Sequence, residues 1–477
     1  MAALLAVLSV VMLERQRGGV TSERLVLASS PVTIWRPDDA GGGPLVVVAH
    51  GYAGSRRMMQ PISIALARSG FTVAAFDFFG HGRNPIPMQG DPTSIDGTTA
   101  QLVDQTLAVA RAAGDLPGVS DPVSLVGHSM ATDIVIRAAD RLDRTAAVVA
   151  ISMYSDAVTP DAPERLLIVS GAHEGRLREV ALDRLRQIDP DGAEGVTVTR
   201  GAVERRAVSA PRVGHVGVLY SPVTLREVRD WIGGARDGTP SAPLPRIGPW
   251  LLALLSSLVL LMWPVARMTG PVVPHPERLG RKAVAMLALP VAPALLATIA
   301  VPPAAGSFVA FAAFAAFFGI WGAVQLALLR RGGMRPGRLH PTAIAILLVW
   351  GLGIFALALD RYGAAFVPTG PRLGLMGLLM LGTIPFCVAD AVVTARSGWV
   401  AAGLQRLLPL VTLLGAMLIT PPLGIAFTVL PVMVLFWLVY GIAARWVRLR
   451  SDPWSAGLAL GVILAWAIAA STPLLAS

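Results

Sequence analysis

Val123-Ser124-Leu125-Val126-Gly127-His128-Ser129-Met130-Ala131 decides how this chain is read. A short apolar run ends in Gly-His-Ser-Met-Ala, and an apolar-periodic stretch over 132–142 follows, which predicts strand, tight turn and helix. That setting holds a serine at a strained apex with its hydroxyl out of the fold. The residues two before and two after the serine must be small, because strand and helix crowd together there. Gly127 meets the first requirement; Ala131, one methyl larger than glycine, stands at the second. The helix N-terminus behind Ser129 brings free N–H groups and a positive dipole end, suited to a developing oxyanion. Five-residue motifs of this kind also occur by chance, and a strand-to-helix turn without chemistry is the plain alternative. The neighbouring segments carry the decision.

Outward from this stretch, apolar runs alternate with helical patterns. Strands are predicted at 23–28, 32–35, 45–49, 72–76, 123–126, 147–153 and 166–169, and helices at 61–68, 98–113, 132–142, 176–187 and 223–232. Strand runs without polar alternation are buried on both faces. The expected class is therefore α/β, a mostly parallel sheet with helices on both faces.

Two further strand ends bear motifs. Pro44-Leu-Val-Val-Val-Ala-His50-Gly51-Tyr52 is a buried strand ending in His-Gly, and Phe71-Thr-Val-Ala-Ala-Phe-Asp77-Phe-Phe-Gly80-His81-Gly82-Arg83 is the next strand and its loop. With the Ser129 turn on a later strand, residues 25–235 resemble the α/β-hydrolase superfamily, in particular its esterase, lipase and serine-aminopeptidase-like branch. The resemblance implies the chain order serine, acid, histidine. Of seven histidines, only His173 and His215 follow Ser129 before the long apolar segments begin. Arg165-Leu-Leu-Ile-Val-Ser-Gly171-Ala-His173-Glu174 is similar to the strand that delivers the acid, with Glu174 where Asp is commoner. Asp156, just after the 147–153 strand, is the alternative acid. Val213-Gly214-His215-Val216-Gly217 lies in a Gly-containing loop before a closing helix, as the catalytic histidine should. His173 precedes the acid at a strand end and is read as lying beside the site at most.

A serine is a poor nucleophile at neutral pH, so His215 would take its proton while Glu174 holds the imidazole tautomer and stabilises the imidazolium. The oxyanion would be met by the backbone N–H groups of Tyr52 and Met130, with Gly51 permitting close approach. His50, His81 and His128 are read as structural hydrogen-bonding groups in tight turns. Only residues 154–165 separate the sixth predicted strand from the acid strand, too few for a cap domain. Phe78, Phe79, Met58 and Met59 are candidates for apolar lining, the methionines more simply for core packing.

The rest of the chain has a different composition. The sequence has 477 residues and a formal net charge of +10; all of its 40 basic residues are Arg except Lys282. Much of that charge lies in short loops between apolar segments, which argues against a nucleic-acid partner. The lone cysteine, Cys387, excludes an internal disulfide and a cysteine metal site, and no cofactor or metal is expected. Residues 1–20 read as a short or truncated N-terminal membrane segment, 21–235 as the α/β-hydrolase domain and 236–246 as a Pro-rich linker. Residues 247–477 read as an all-α bundle of about eight transmembrane helices. Loop charge predicts orientation. Arg267, Arg278, Arg281 and Lys282, then Arg330, Arg331, Arg335 and Arg338, then Arg396 and Arg406, then Arg445, Arg448 and Arg450 fall in odd-numbered loops; the even ones hold only Arg361 and Arg372. Odd loops are therefore expected in the cytoplasm, and the hydrolase domain outside it, in a multi-pass protein of the cell membrane.

These features favour a membrane-bound serine hydrolase cleaving an ester, thioester or amide, with a small-molecule or lipid-like acyl substrate and the bilayer as partner. Acyl transfer uses the same acyl-enzyme. The alternatives are a non-catalytic hydrolase-fold binding or regulatory module, which the Ser, Glu and His set argues against, and a transporter with a sensor domain. A transporter would need ionisable groups within the bundle; Asp390 is the one acid clearly inside a segment, near an end where a side chain can snorkel.

Overall fold

Apolar runs without alternation become the central strands. A computed structural model describes the chain except residues 39–40, 235–241, 273–277, 281, 304 and 477. Residues 236–241 of the predicted linker, and Arg281, therefore lie outside the described residues. The chain forms two compact units. One comprises Val7–Ala253 with Arg361–Ala365, and the other Met1–Ala6, Leu254–Asp360 and Phe366–Ser477.

In the first unit the described residues form a nine-stranded sheet: β1 (Val20–Leu27), β2 (Ser30–Pro37), β3 (Gly43–Ala49), β4 (Thr72–Phe76), β5 (Val119–His128), β6 (Thr145–Ile151), β7 (Arg165–Gly171), β8 (Thr197–Arg200) and β9 (Val203–Ala210). Their order is β1-β2-β4-β3-β5-β6-β7-β9-β8. Strands β4, β3, β5, β6, β7 and β9 run parallel, while β2, β1 and β8 attach antiparallel at the edges. Every residue of β4, and Leu45–Ala49 of β3, is buried, as strands covered on both faces require. The β1–β2 hairpin turns on Ala28 and Ser29, both with positive φ, the conformation that matches the twist of flanking strands.

The helices are α1 (Ala2–Arg15), α2 (Gln60–Arg68), α3 (Ala100–Gly114), α4 (Ala131–Ala139), α5 (Gly175–Arg186) and α6 (Pro222–Gly233). The chain steps from β3 to β4 in one direction and from β4 past β3 to β5 in the other. Right-handed crossovers then put α2 on one face and α3 and α4 on the opposite one; α6 packs beside α2, and α3 beside α4. The reversal between β3 and β5 opens a crevice beyond the carboxyl ends of the strands, where ligands of open α/β sheets bind.

The two strands absent from the sequence reading, β8 and β9, are rich in arginine. Arg205 of β9 is nonetheless fully buried, donating to the carbonyl oxygens of Arg184 and Thr159 and to Gln187 Oε1. A buried arginine inside a strand breaks the polarity pattern that marks strands, and only the fold supplies its acceptors.

In the second unit and its boundary, eight helices of the described residues are long and apolar enough to cross a membrane, among them Phe311–Arg331, Pro371–Ala395, Trp399–Ile419 and Pro453–Ser471. Glycines let them approach closely. A Cβ on Gly322 would stand 2.4 Å from the backbone of Phe386, and one on Gly457 or Gly461 would meet the Cα of Val388 or Ile384 at 2.4 or 2.5 Å. Asp390 does not snorkel: it is buried and faces Arg406 Nη2 at 3.6 Å.

Candidate active site

Five loops that follow carboxyl ends of parallel strands converge on the crevice. Ser129 follows β5 with φ +54°, the left-handed region that only glycine occupies at no cost. Its N–H donates to Ile151 O at 2.8 Å, and the next turn begins with Thr132 N–H to Ser129 O at 2.9 Å. A Cβ on Gly127 would come within 2.5 Å of Ala131 O, so glycine is required there, whereas the Ala131 methyl is accommodated in full burial. Just past the end of neighbouring β3, Gly51 lies so close that a Cβ would stand 2.9 Å from both Ser129 Cβ and His128 Nδ1.

The residues singled out in sequence meet. Ser129 Oγ lies 2.8 Å from His215 Nε2, and His215 Nδ1 lies 2.6 Å from Glu174 Oε1. An ionised carboxylate only accepts, so Nδ1 carries the proton and Nε2 accepts from the Ser129 hydroxyl. Glu174 Oε2 accepts from Gly171 N–H at 2.6 Å and from Ser152 Oγ at 2.7 Å. Burial raises the Glu174 carboxyl pKa, but the hydrogen bonds from His215, Gly171 and Ser152 outweigh it and the net shift is downward. The carboxylate side chain is 7% exposed, the imidazole 48%. Asp156 is elsewhere: 78% exposed and paired with Arg137 at 2.7 Å. His173 is exposed; its N–H donates to Val213 O at 3.1 Å, tying the acid loop to the histidine loop.

Three histidines build turns. His50 Nδ1–H donates to Gly51 O at 2.7 Å while its Nε2 accepts from Phe78 N–H at 3.1 Å. That arrangement needs a neutral ring, and burial pushes its pKa down to about 4. His128 is likewise buried, its pKa lowered to about 4 chiefly by burial, and its Nε2 lies 2.8 Å from His215 O. His81 Nδ1 lies 2.8 Å from Phe79 O. Asp77 organises the same region, accepting from the main chain of Arg56 at 2.7 Å and of Arg83 at 3.0 Å and pairing with the Arg56 guanidinium. Met59 and Phe78 are fully buried core residues rather than crevice lining. Met130 opens α4, whose first-turn N–H groups have no acceptor within the helix. Tyr52 directly follows Gly51.

Sequence reasoning missed Ser152. It is fully buried at the end of β6 with φ +53°, and nothing but its place after an apolar strand marks it.

The family model described as serine aminopeptidase, S33, matches residues 43–181. No protein of curated function matches the sequence. Among solved structures, the chain is similar to TT1662 from Thermus thermophilus at 20% identity, over 45% of this chain and 98% of that one, with a TM-score of 0.33. It is similar to dienelactone hydrolase from Anabaena variabilis at 17%, over 44% and 94%, with a TM-score of 0.34. A third is the HSL-homolog EstE7 from a metagenome library, at 17% over 49% and 97%, also with a TM-score of 0.34. The strand order, the reversal between β3 and β5, and the family match within 43–181 agree: this chain carries an α/β-hydrolase domain similar to the serine aminopeptidases.

Proposed function

We propose that Ser129, His215 and Glu174 are the catalytic triad of a membrane-bound serine hydrolase acting on an ester, thioester or amide, with a small-molecule or lipid-like acyl substrate. The observation that carries this reading is the unbroken hydrogen-bond chain from Glu174 Oε1 through both nitrogens of His215 to Ser129 Oγ. As Ser129 Oγ attacks the substrate carbonyl carbon, its proton passes to His215 Nε2. The imidazolium is stabilised by Glu174, which stays ionised. The carbonyl oxygen, now an oxyanion, is met by the N–H groups of Tyr52 and Met130. The tetrahedral centre collapses, the leaving group departs with the proton from Nε2, and Ser129 is acylated. Water then repeats the sequence, giving its proton to Nε2 and releasing the acid as the proton returns to Ser129. No cofactor is needed for any of these steps.

The eight apolar helices support membrane anchoring. The concentration of arginine in alternate loops supports an extracytoplasmic hydrolase domain. A fluorophosphonate probe should label the wild type and leave Ser129→Ala unlabelled; equal labelling of the two would sink the assignment.

A further inference from the structure

The first compact unit contains five residues from far along the chain, Arg361–Ala365, which close one long apolar helix, Pro341–Tyr362, and continue just past it. They are held at both ends. Arg361 grips the Glu14 carboxylate through Nε at 2.7 Å and Nη2 at 2.9 Å, and the Tyr362 hydroxyl donates to the same carboxylate at 2.5 Å. At the other end the Ala365 N–H donates to Ser55 Oγ at 3.0 Å, in a buried environment. Ser55 is 1% exposed. It lies three residues after Tyr52, whose N–H is assigned above to the oxyanion.

The loop from Gly51 to Arg56 is held along its length. Gly51 O accepts from His50 Nδ1 and from Gly54 N–H. Arg56 is fixed to Asp77 through its N–H and its guanidinium. Between them Ala53 has φ +55°, the Tyr52 ring packs edge-on against His81 with centroids 5.4 Å apart, and Ser55 Oγ accepts from the Ala365 N–H. We propose that Arg361–Ala365 is a positioning element for catalysis, fixing through Ser55 the direction in which the Tyr52 N–H points. The proposal rests on the serine-hydrolase reading. Ser55 and Ala365 touch neither the substrate nor the reacting atoms; they act through the loop. The catalytic unit is then completed by the end of the fourth long apolar helix and the residues just after it.

The test uses full-length protein in detergent, with p-nitrophenyl butyrate as the ester and fluorophosphonate labelling of Ser129 as the control. Ser55→Ala deletes the acceptor, and a misaimed oxyanion donor should lower kcat about tenfold with KM within about twofold, part of the effect of losing such a donor outright. Ser55→Thr keeps the hydroxyl and should restore most of kcat. Arg361→Ala, at an exposed position that leaves the buried core intact, should lower kcat about threefold by loosening the far end of the pentapeptide. Wild-type kcat in both Ser55→Ala and Arg361→Ala, with Ser129 still labelled, overturns the proposal and leaves the hydrolase reading standing. A change in KM alone overturns it too, since that would place the loop in ground-state binding. Labelling of the wild type that does not depend on Ser129 overturns both.

Discussion

His128 Nε2 donates to the carbonyl oxygen of His215 at 2.8 Å, with the two rings 5.0 Å apart, so the residue before Ser129 holds the backbone of the histidine that Ser129 Oγ faces. The bond joins the end of β5 to the loop after β9. Replacing His128 by Phe keeps a ring and deletes the donor. Acylation by a fluorophosphonate should slow about tenfold, the scale of a small misplacement of a reacting group. A rate within twofold of wild type would show that the contact does not position His215.

Acid should destabilise the hydrolase unit through its buried histidines. His50 and His128 have folded-state pKa values near 4 against an ordinary 6.5. A depressed histidine pKa means that the unfolded chain binds the extra proton, so stability is full above about pH 6.5 and declines as pH falls toward 4. The decline is about 1.4 kcal/mol per pH unit for each such histidine. The thermal midpoint in detergent should therefore drop steeply between pH 6.5 and 4.5. A flat profile over that range would mean that these rings are not held neutral.

Glu174 and Asp156 should separate cleanly. Glu174→Gln keeps the shape but removes the charge that stabilises the imidazolium, and ester turnover should fall about 10²- to 10⁴-fold. Asp156→Ala removes an exposed partner of Arg137 and should leave turnover within about twofold. The reverse ranking in folded proteins would transfer the acid to Asp156. Ser152→Ala removes one of the hydrogen bonds that hold the Glu174 pKa down. Glu174 should then protonate at a higher pH than in wild type, read from its carboxyl band by infrared difference spectroscopy; an unchanged titration would show that the Ser152 hydroxyl does not hold the carboxylate.

Backbone strain at Ser129 gives a stability prediction opposite in sign to its effect on activity. A non-glycine residue in the left-handed region costs about 1 kcal/mol or more. Ser129→Gly relieves that cost and Ser129→Ala does not, although neither should react with the probe. In denaturant the Gly variant should unfold later than the Ala variant; the same midpoint for both would show that the turn is unstrained.

The orientation proposed from loop charge is tested with protease added to intact spheroplasts. Cleavage within 21–246 should occur without lysis, because exporting the clusters at Arg330–Arg338 and Arg445–Arg450 while retaining the neutral loops would oppose the positive-inside bias. A domain protected until the membrane is broken would reverse the orientation.

What could be read from sequence, and what could not, follows from where each signal lies. Ser129, Glu174 and His215 each follow a strand or lie in a Gly-marked loop, so local pattern and chain order pointed to them, and the structure brings them into hydrogen-bond reach. The buried runs of β3 to β7 were visible because burial on both faces leaves no polar residue in the strand. β9 was hidden because Arg205 finds its acceptors on two other segments. Ser152 was hidden because a serine that donates to a carboxylate looks like any serine. The link from Ala365 to Ser55 joins residues 310 positions apart, and no periodicity encodes it.

The strand order has a consequence for synthesis. Gly51, Ser129, Ser152, Glu174 and His215 reach the crevice from five different strands, and the strand before His215 docks outside β7 rather than beside the elbow. A ribosome-bound chain that has emitted the serine turn alone holds a strained, unactivated hydroxyl. On the proposed triad, that hydroxyl is activated only once the far side of the sheet has closed, so a half-made chain would not yet acylate itself.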